Sequence, residues 1–218
     1  MLDRLLHWIT MVFWRTRQRT RRSALAGLSA RGLKIGRDVV IMPDVTIDTG
    51  YPWLIEIEDG CRISSQVRIM AHDATSFREL GVTRIGRVRI LRESFIGERS
   101  IILPGVTIGP RAMIAAGSLV THDIGPGQMA AGNPARVYGK FEDYLQRVRT
   151  TVADSALFSL DSMDSPASRE AARAALDEGK TVYVHGSSPG APDHYNITEA
   201  EIAEQARAAF EKNFGKQT

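Results

Sequence analysis

"ILRESFIGERSIILPGVTIGPRAMIAAGSLVTHDIG", residues 90–125, repeats every six residues. Ile90, Ile96, Ile102, Ile108, Ile114 and Val120 open successive hexads, and the fifth positions are small or modest: Ser94, Ser100, Val106, Ala112 and Ser118. Neither a helix, with its period of 3.6, nor simple strand alternation produces a strict period of six. A coil of short strands joined by corners does. The first residue of each hexad points into the axis, and the fifth fills a tighter corner. Stacked coils bury a continuous ladder of isoleucines, each contributing roughly 1.5–3 kcal/mol when fully buried. The expected fold is therefore mainly β, a parallel β-solenoid. The hexads alone do not choose its hand, although parallel crossovers usually turn right-handed.

Two earlier arrays obey the same rule. "IGRDVVIMPDVTI" (35–47) puts Ile35, Ile41 and Ile47 in phase, and "IEDGCRISSQVRIMAH" (57–72) does so with Ile57, Ile63 and Ile69. The second array halts at His72, wanders through "DATSFRELGVT" (73–83), where Gly81 permits a turn, and then resumes. Three segments follow. Residues 1–32 are a basic amphipathic N-terminal helix, 33–140 the hexapeptide-repeat β-helix, and 141–218 a mainly helical extension. In the extension, Ser165-Pro166 starts a helix that ends before Gly179, and "TVYVHG" (181–186) reads as a short strand. A last helix carries the capping box Thr198/Glu201 and ends near Gly215.

With 218 residues, a net charge of +3 and few aromatic residues, the chain has an ordinary soluble composition and no nucleic-acid reading motif. Nucleic acid is not an expected partner; a phosphorylated cofactor suits the mild basicity as well. One cysteine, Cys61, makes no internal disulfide and no metal cluster, which points to a reducing, cytoplasmic location. No metal is expected, nor is a P-loop or dinucleotide cradle present. "LLHWITMVFW" (5–14), followed by five arginines in "RTRQRTRR" (15–22), is too short to span a bilayer, and its charge order is the reverse of a secretory signal. Leu2, Leu5, Leu6, Ile9 and Phe13 share a helical face. That face packs on protein or lies on an anionic membrane, making peripheral contact with the inner face of the cell membrane.

"ILPGVTIGPRAMIAAGSLVTHDIGPGQMAAGNPARV" (102–137) resembles the closing coils of the hexapeptide-repeat acyltransferases. The likeness is nearest to the branch with the maltose, galactoside, nodulation-factor and polysaccharide O-acetyltransferases and covers about residues 33–140. It implies a left-handed parallel β-helix, a homotrimer with sites in clefts between neighbouring coils, and acetyl-CoA as acyl donor. It also places a catalytic histidine at the extruded loop, the position of His72. The chemistry agrees: a sugar hydroxyl is a weak nucleophile, and attack on a thioester calls for a base that accepts its proton as the bond forms. Asp73 and Asp48 either orient the imidazole, bind acceptor hydroxyls or serve as turn carboxylates. Relatives place an acceptor-binding Asn or Asp one coil earlier, which Asp44 and Asp48 match loosely. The coenzyme stretch of the family corresponds to Ala116, Thr121 and "GNPAR", that is Gly132, Asn133, Pro134 and Arg136. Arg136 and Lys140 suit the nucleotide phosphates, and His122 stands where relatives often have lysine near the coenzyme. Gly132, Asn133 and Pro134 would also end a β-helix by themselves.

The function implied is acetyl-CoA-dependent O-acetylation of a saccharide or cell-surface glycan precursor, a step of polysaccharide biosynthesis, with His72 as general base. N-acetylation of an amino-sugar nucleotide or small xenobiotic uses the same parts, and a β-helical assembly module would bind no acetyl-CoA. An acyl-cysteine route through Cys61 is disfavoured because Cys61 occupies a fifth hexad position. Zinc-dependent hydration of carbon dioxide needs three converging histidines, whereas only His72 and His122 fall in the coil.

Overall fold

The computed structural model describes residues 24–153, 155–159, 162 and 165–185. The amphipathic stretch before residue 24 and the expected last helix lie outside the described residues, which open with helical residues 24–30 (α1). Two compact units divide at residue 139/140.

In the first unit each hexad becomes a strand of two or three residues, and three hexads complete one coil. Three parallel sheets result. The first holds β1 (Lys34–Ile35), β4 (Ile55–Ile57), β9 (Val88–Ile90) and β12 (Thr107–Ile108), in that order. The second stacks β2 (Val40–Ile41), β5 (Arg62–Ile63), β10 (Phe95–Ile96), β13 (Met113–Ile114) and β15 (Gln128–Gly132), with β16 (Ala135–Lys140) beside β15. The third holds β3 (Thr46–Ile47), β6 (Arg68–Ile69), β11 (Ile101–Ile102) and β14 (Leu119–Val120). The register keeps isoleucine on isoleucine: Ile41 pairs with Ile63, Ile63 with Ile96, and Ile96 with Ile114. Ile63, Ile90, Ile96, Ile102, Ile108 and Ile114 are fully buried, as are Cys61, Val67, Ser94, Ser100, Ala112 and Ser118 at the fifth positions. The two inward positions of the hexad are thus the core, and the Ser94 and Ser100 hydroxyls donate to the next coil, to the Gly109 carbonyl at 2.6 Å and the Ala115 carbonyl at 3.1 Å.

The coil closes tightly because glycines follow the inward isoleucine. A Cβ on Gly97 would lie 2.5 Å from the Ala116 nitrogen, and one on Gly109 2.6 Å from the Pro126 nitrogen. Most corners are turned by non-glycine residues at positive φ, among them Asp38, Asp44, Gln66, Glu93, Arg99 and Arg111.

Coil length varies at one corner only. From β10 to β13 the paired residues Phe95 and Met113 are 18 apart, which is three hexads. From Thr46 to Arg68 the step is 22, and from Arg68 to Ile101 it is 33. Both excesses leave the coil where the third sheet passes to the first. The smaller contains a 3₁₀ turn, η1 (Pro52–Leu54). The larger forms an antiparallel hairpin, β7 (His72–Asp73) on β8 (Arg84–Ile85), enclosing the short helix α2 (Phe77–Leu80). Gly81, at φ 70°, ends α2.

In the second unit α3 (Phe141–Ala153) is followed by β17 (Ala156–Ser159), α4 (Pro166–Asp177) and β18 (Val182–His185). Ser165 caps α4 through its hydroxyl, which accepts from Ser168 N–H. Within the extension expected to be mainly helical, residues 156–159 form a strand instead and pair in parallel with β18, from Ala156 on Val182 to Ser159 on His185. Among the described residues no helix is long and apolar enough to cross a membrane.

Candidate active site at the interrupted corner

His72 begins β7 immediately beyond the β6 corner, and Asp48 directly follows β3, one coil below. Because Ile47 pairs with Ile69, the two insertions issue from the same corner in adjacent coils. Their side chains meet: His72 Nδ1 contacts Asp48 Oδ2. The same oxygen accepts from Ala71 N–H at 2.9 Å, and Oδ1 accepts from Gly50 N–H at 2.8 Å and Tyr51 N–H at 3.3 Å. The Asp48 side chain is 2% exposed and that of His72 37%. Burial pushes the Asp48 carboxyl upward. The hydrogen bonds from Ala71, His72, Gly50 and Tyr51 outweigh it and hold the carboxyl below its ordinary value, so the group stays ionised.

A carboxylate on Nδ1 fixes the imidazole as its Nδ1–H tautomer, leaving Nε2 with a free lone pair. The imidazole is thus oriented by a buried carboxylate on one nitrogen while its side chain stays partly exposed. The Tyr51 ring packs on the imidazole at 5.3 Å between centroids, and a Cβ on Gly50 would lie 3.9 Å from the imidazole. Tyr51 and the Ala71 N–H carry no signal in the sequence. The Asp48–His72 meeting had one: Ile47 and Ile69 are in-phase hexad residues, each followed by an interruption, and counting hexads in threes puts both interruptions at one corner.

The other candidates distribute as follows. Asp73 accepts from Thr75 N–H at 2.9 Å and from the Thr75 hydroxyl at 2.5 Å, bonds that lower its carboxyl, and its side chain engages its own turn rather than the imidazole. Asp44 sits at positive φ between β2 and β3, at a different corner from His72. Thr121 and His122 follow β14 at the same corner as His72 but two rungs along, in the order β14-β11-β6-β3, and the Thr121 hydroxyl contacts His122 Nδ1 at 2.7 Å. Ala116 follows β13, and its nitrogen faces Gly97. Gly132 ends β15, its N–H donating to Ser118 Oγ at 3.3 Å, and Asn133 and Pro134 link β15 to β16. Arg136 Nη1 donates to the carbonyl of Ala135, and Lys140 ends β16, exposed.

Cys61 is fully buried, its thiol directed to the Leu91 carbonyl at 3.1 Å, and burial pushes its pKa up to about 11. It is neither accessible nor ionised. Among the described residues no three His, Cys, Asp or Glu side chains converge on a common point. A groove of about 370 Å³ over Lys34, Gly36, Glu56, Glu58, Asp59 and Arg92 shares no residue with the His72 corner. Its acids are engaged by neighbours, Arg89 with Glu56 and Glu58 and Arg37 with Asp59.

Residues 87–122 match the family described as bacterial transferase hexapeptide (six repeats). YvoF of Bacillus subtilis, a protein named as an acetyltransferase by inference, is 32% identical over 121 residues, 54% of this chain and 66% of its own length. Galactoside O-acetyltransferase of Escherichia coli is 36% identical over 110 residues, 50% of this chain and 44% of its own. Among solved structures, galactoside acetyltransferase in complex with coenzyme A is similar with a TM-score of 0.46 at 33% identity, over 50% of this chain and 55% of that one. The chain spans about a third to two thirds of the length of the curated relatives it matches.

Proposed function

We propose, from the match of residues 87–122 to the hexapeptide-repeat transferases, that the chain is an acetyl-CoA-dependent O-acetyltransferase acting on a saccharide hydroxyl. The observation that carries the reading is the buried, ionised Asp48 on His72 Nδ1, at the corner where the repeat is interrupted twice. His72 Nε2 takes the acceptor hydroxyl proton as the oxygen attacks the thioester carbonyl. The tetrahedral intermediate then collapses, the carbon–sulfur bond breaks, and the leaving thiolate takes the proton back from the imidazolium. Asp48 keeps its charge throughout and stabilises the imidazolium between the two transfers. Transfer is direct, since the only thiol of the chain is buried and protonated.

Thr121 and His122 border the donor's path toward His72, and Ala116, Gly132, Asn133, Pro134, Arg136 and Lys140 are the remaining donor-side candidates. The same reading takes the coil as left-handed and the enzyme as a homotrimer in the cytoplasm. The galactoside named for one relative supports a sugar as the class of acceptor.

Calorimetric titration of acetyl-CoA, joined to a thioester-consumption screen over sugar acceptors, tests the proposal. Wild type and His72→Ala bind acetyl-CoA alike, and the variant loses roughly 10²–10⁴ in kcat. Asp48→Asn loses roughly tenfold or more, because the amide no longer fixes the tautomer. A wild type that does not bind acetyl-CoA, or a His72→Ala variant with full turnover, rules the reading out.

A further inference from the structure

The 48–54 insertion supplies more than the carboxylate. Its next aromatic residue, Trp53, packs against Tyr51 at 5.4 Å between ring centroids and an interplanar angle of 60°, and Tyr51 in turn packs on the imidazole of His72. Three rings thus run outward from the base. Tyr51 is half-buried against the core, whereas Trp53 is 53% exposed. An indole so exposed contributes little to the core, yet its root is held: a Cβ on Gly32 would come within 2.8 Å of Trp53 Cβ and 3.2 Å of its Cα. The backbone beneath the ring is fixed and the ring faces out.

Direction along the coil adds the second argument. The third sheet runs β14-β11-β6-β3, so Thr121 and His122 lie on the β14 side of His72 and the 48–54 insertion on the β3 side. With the donor entering from the β14 side, the acceptor approaches from the other, over Tyr51 and Trp53. A pyranose has one face of C–H groups, and such a face stacks on an exposed aromatic ring while its equatorial hydroxyls point sideways.

Resting on the acetyltransferase reading, we infer that Trp53, backed by Tyr51, is the acceptor platform. One sugar ring stacks on the indole, and the hydroxyl to be acetylated belongs to the same or the adjoining sugar unit, presented to His72 Nε2. The occupant is a neutral pyranose with an open C–H face, within a glycoside or oligosaccharide.

Tryptophan emission reads the platform without turnover. The chain has three tryptophans, so the part of the signal lost in Trp53→Phe belongs to Trp53. Wild type, Trp53→Phe and Trp53→Ala are titrated with maltotriose, chitotriose and isopropyl β-thiogalactoside, and acetyl-CoA binding is measured in parallel. At least one sugar should shift the Trp53 emission saturably. With that sugar as acceptor, Trp53→Ala should raise KM about tenfold, Trp53→Phe only about two- to threefold, and acetyl-CoA affinity should stay at the wild-type value in both. No shift of Trp53 emission by any of the three sugars overturns the platform, as does an acceptor KM within twofold of wild type in Trp53→Ala. Loss of acetyl-CoA affinity in Trp53→Ala assigns the residue to structure instead. Failure of wild type to bind acetyl-CoA removes the acetyltransferase reading itself, and the inference with it.

Discussion

Asp48 carries its charge where burial alone would suppress it. Hydrogen bonds from Ala71, Gly50 and Tyr51 and the contact with His72 reverse the balance and hold the acid below its ordinary value of 3.8. A depressed native pKa makes a stability contribution that is present above the unfolded-state value and lost as pH falls through the native one. Wild type should therefore lose its advantage over Asp48→Asn as pH drops below about 4. Thermal unfolding of both proteins from neutral to acid pH checks this; a difference that stays constant across the range would discard the account. Cys61, with its thiol pushed up to about 11, should resist a disulfide reagent at pH 8 in the native protein and react once the chain is unfolded. At this scale the sequence was partly legible. His72 stands out because it breaks a strict period. Tyr51 and Trp53 do not, since an aromatic pair in a short insertion has no period to violate and its partners come from another coil.

The rungs follow from the hexad, because two inward positions in six leave the backbone one way to bury both. Ile96, fully buried and flanked by Ile63 and Ile114, should lose roughly 2–5 kcal/mol on substitution by alanine. Gly97 tests coil spacing. Its added Cβ would meet backbone atoms of the next coil at 2.5 Å and 2.7 Å, so Gly97→Ala should destabilise the protein in chemical denaturation. Gly27 is the control. It lies in helical residues 24–30 with nothing within 4 Å of an added Cβ, and Gly27→Ala should stabilise by up to about 1 kcal/mol. β17 was not legible, and the reason is physical. "ALFS" has no β-branched residue and a locally helical composition; it becomes a strand because β18, rich in valine and tyrosine, gives it a ladder to join. The β7–β8 pairing was hidden likewise, since His72 finds Ile85 across a loop that carries no repeat.

Across the whole solenoid each coil touches only its neighbours, so protection from solvent depends on place in the stack. The coil of β10 and β11 has a rung on either side, whereas that of β2 and β3 has a paired rung on one side only. Amides of Ile96 and Ile102 should exchange with deuterium roughly tenfold or more slowly than those of Ile41 and Ile47. Equal rates would mean that the stack opens as a single unit. The overall architecture was the most legible level, because the period repeats in three separate arrays and each confirms the phase of the others. Across the unequal steps of 22, 33 and 18 residues between paired rungs, aliphatic residues stay stacked on aliphatic residues, isoleucine on isoleucine in most rungs and Ile102 on Val120. A lineage built this way can lengthen, shorten or trade the segments at one corner by simple insertion and deletion while the inherited core goes on folding unchanged. New surfaces at that corner then arise by editing loop length, and selection can explore them without first having to rescue the fold.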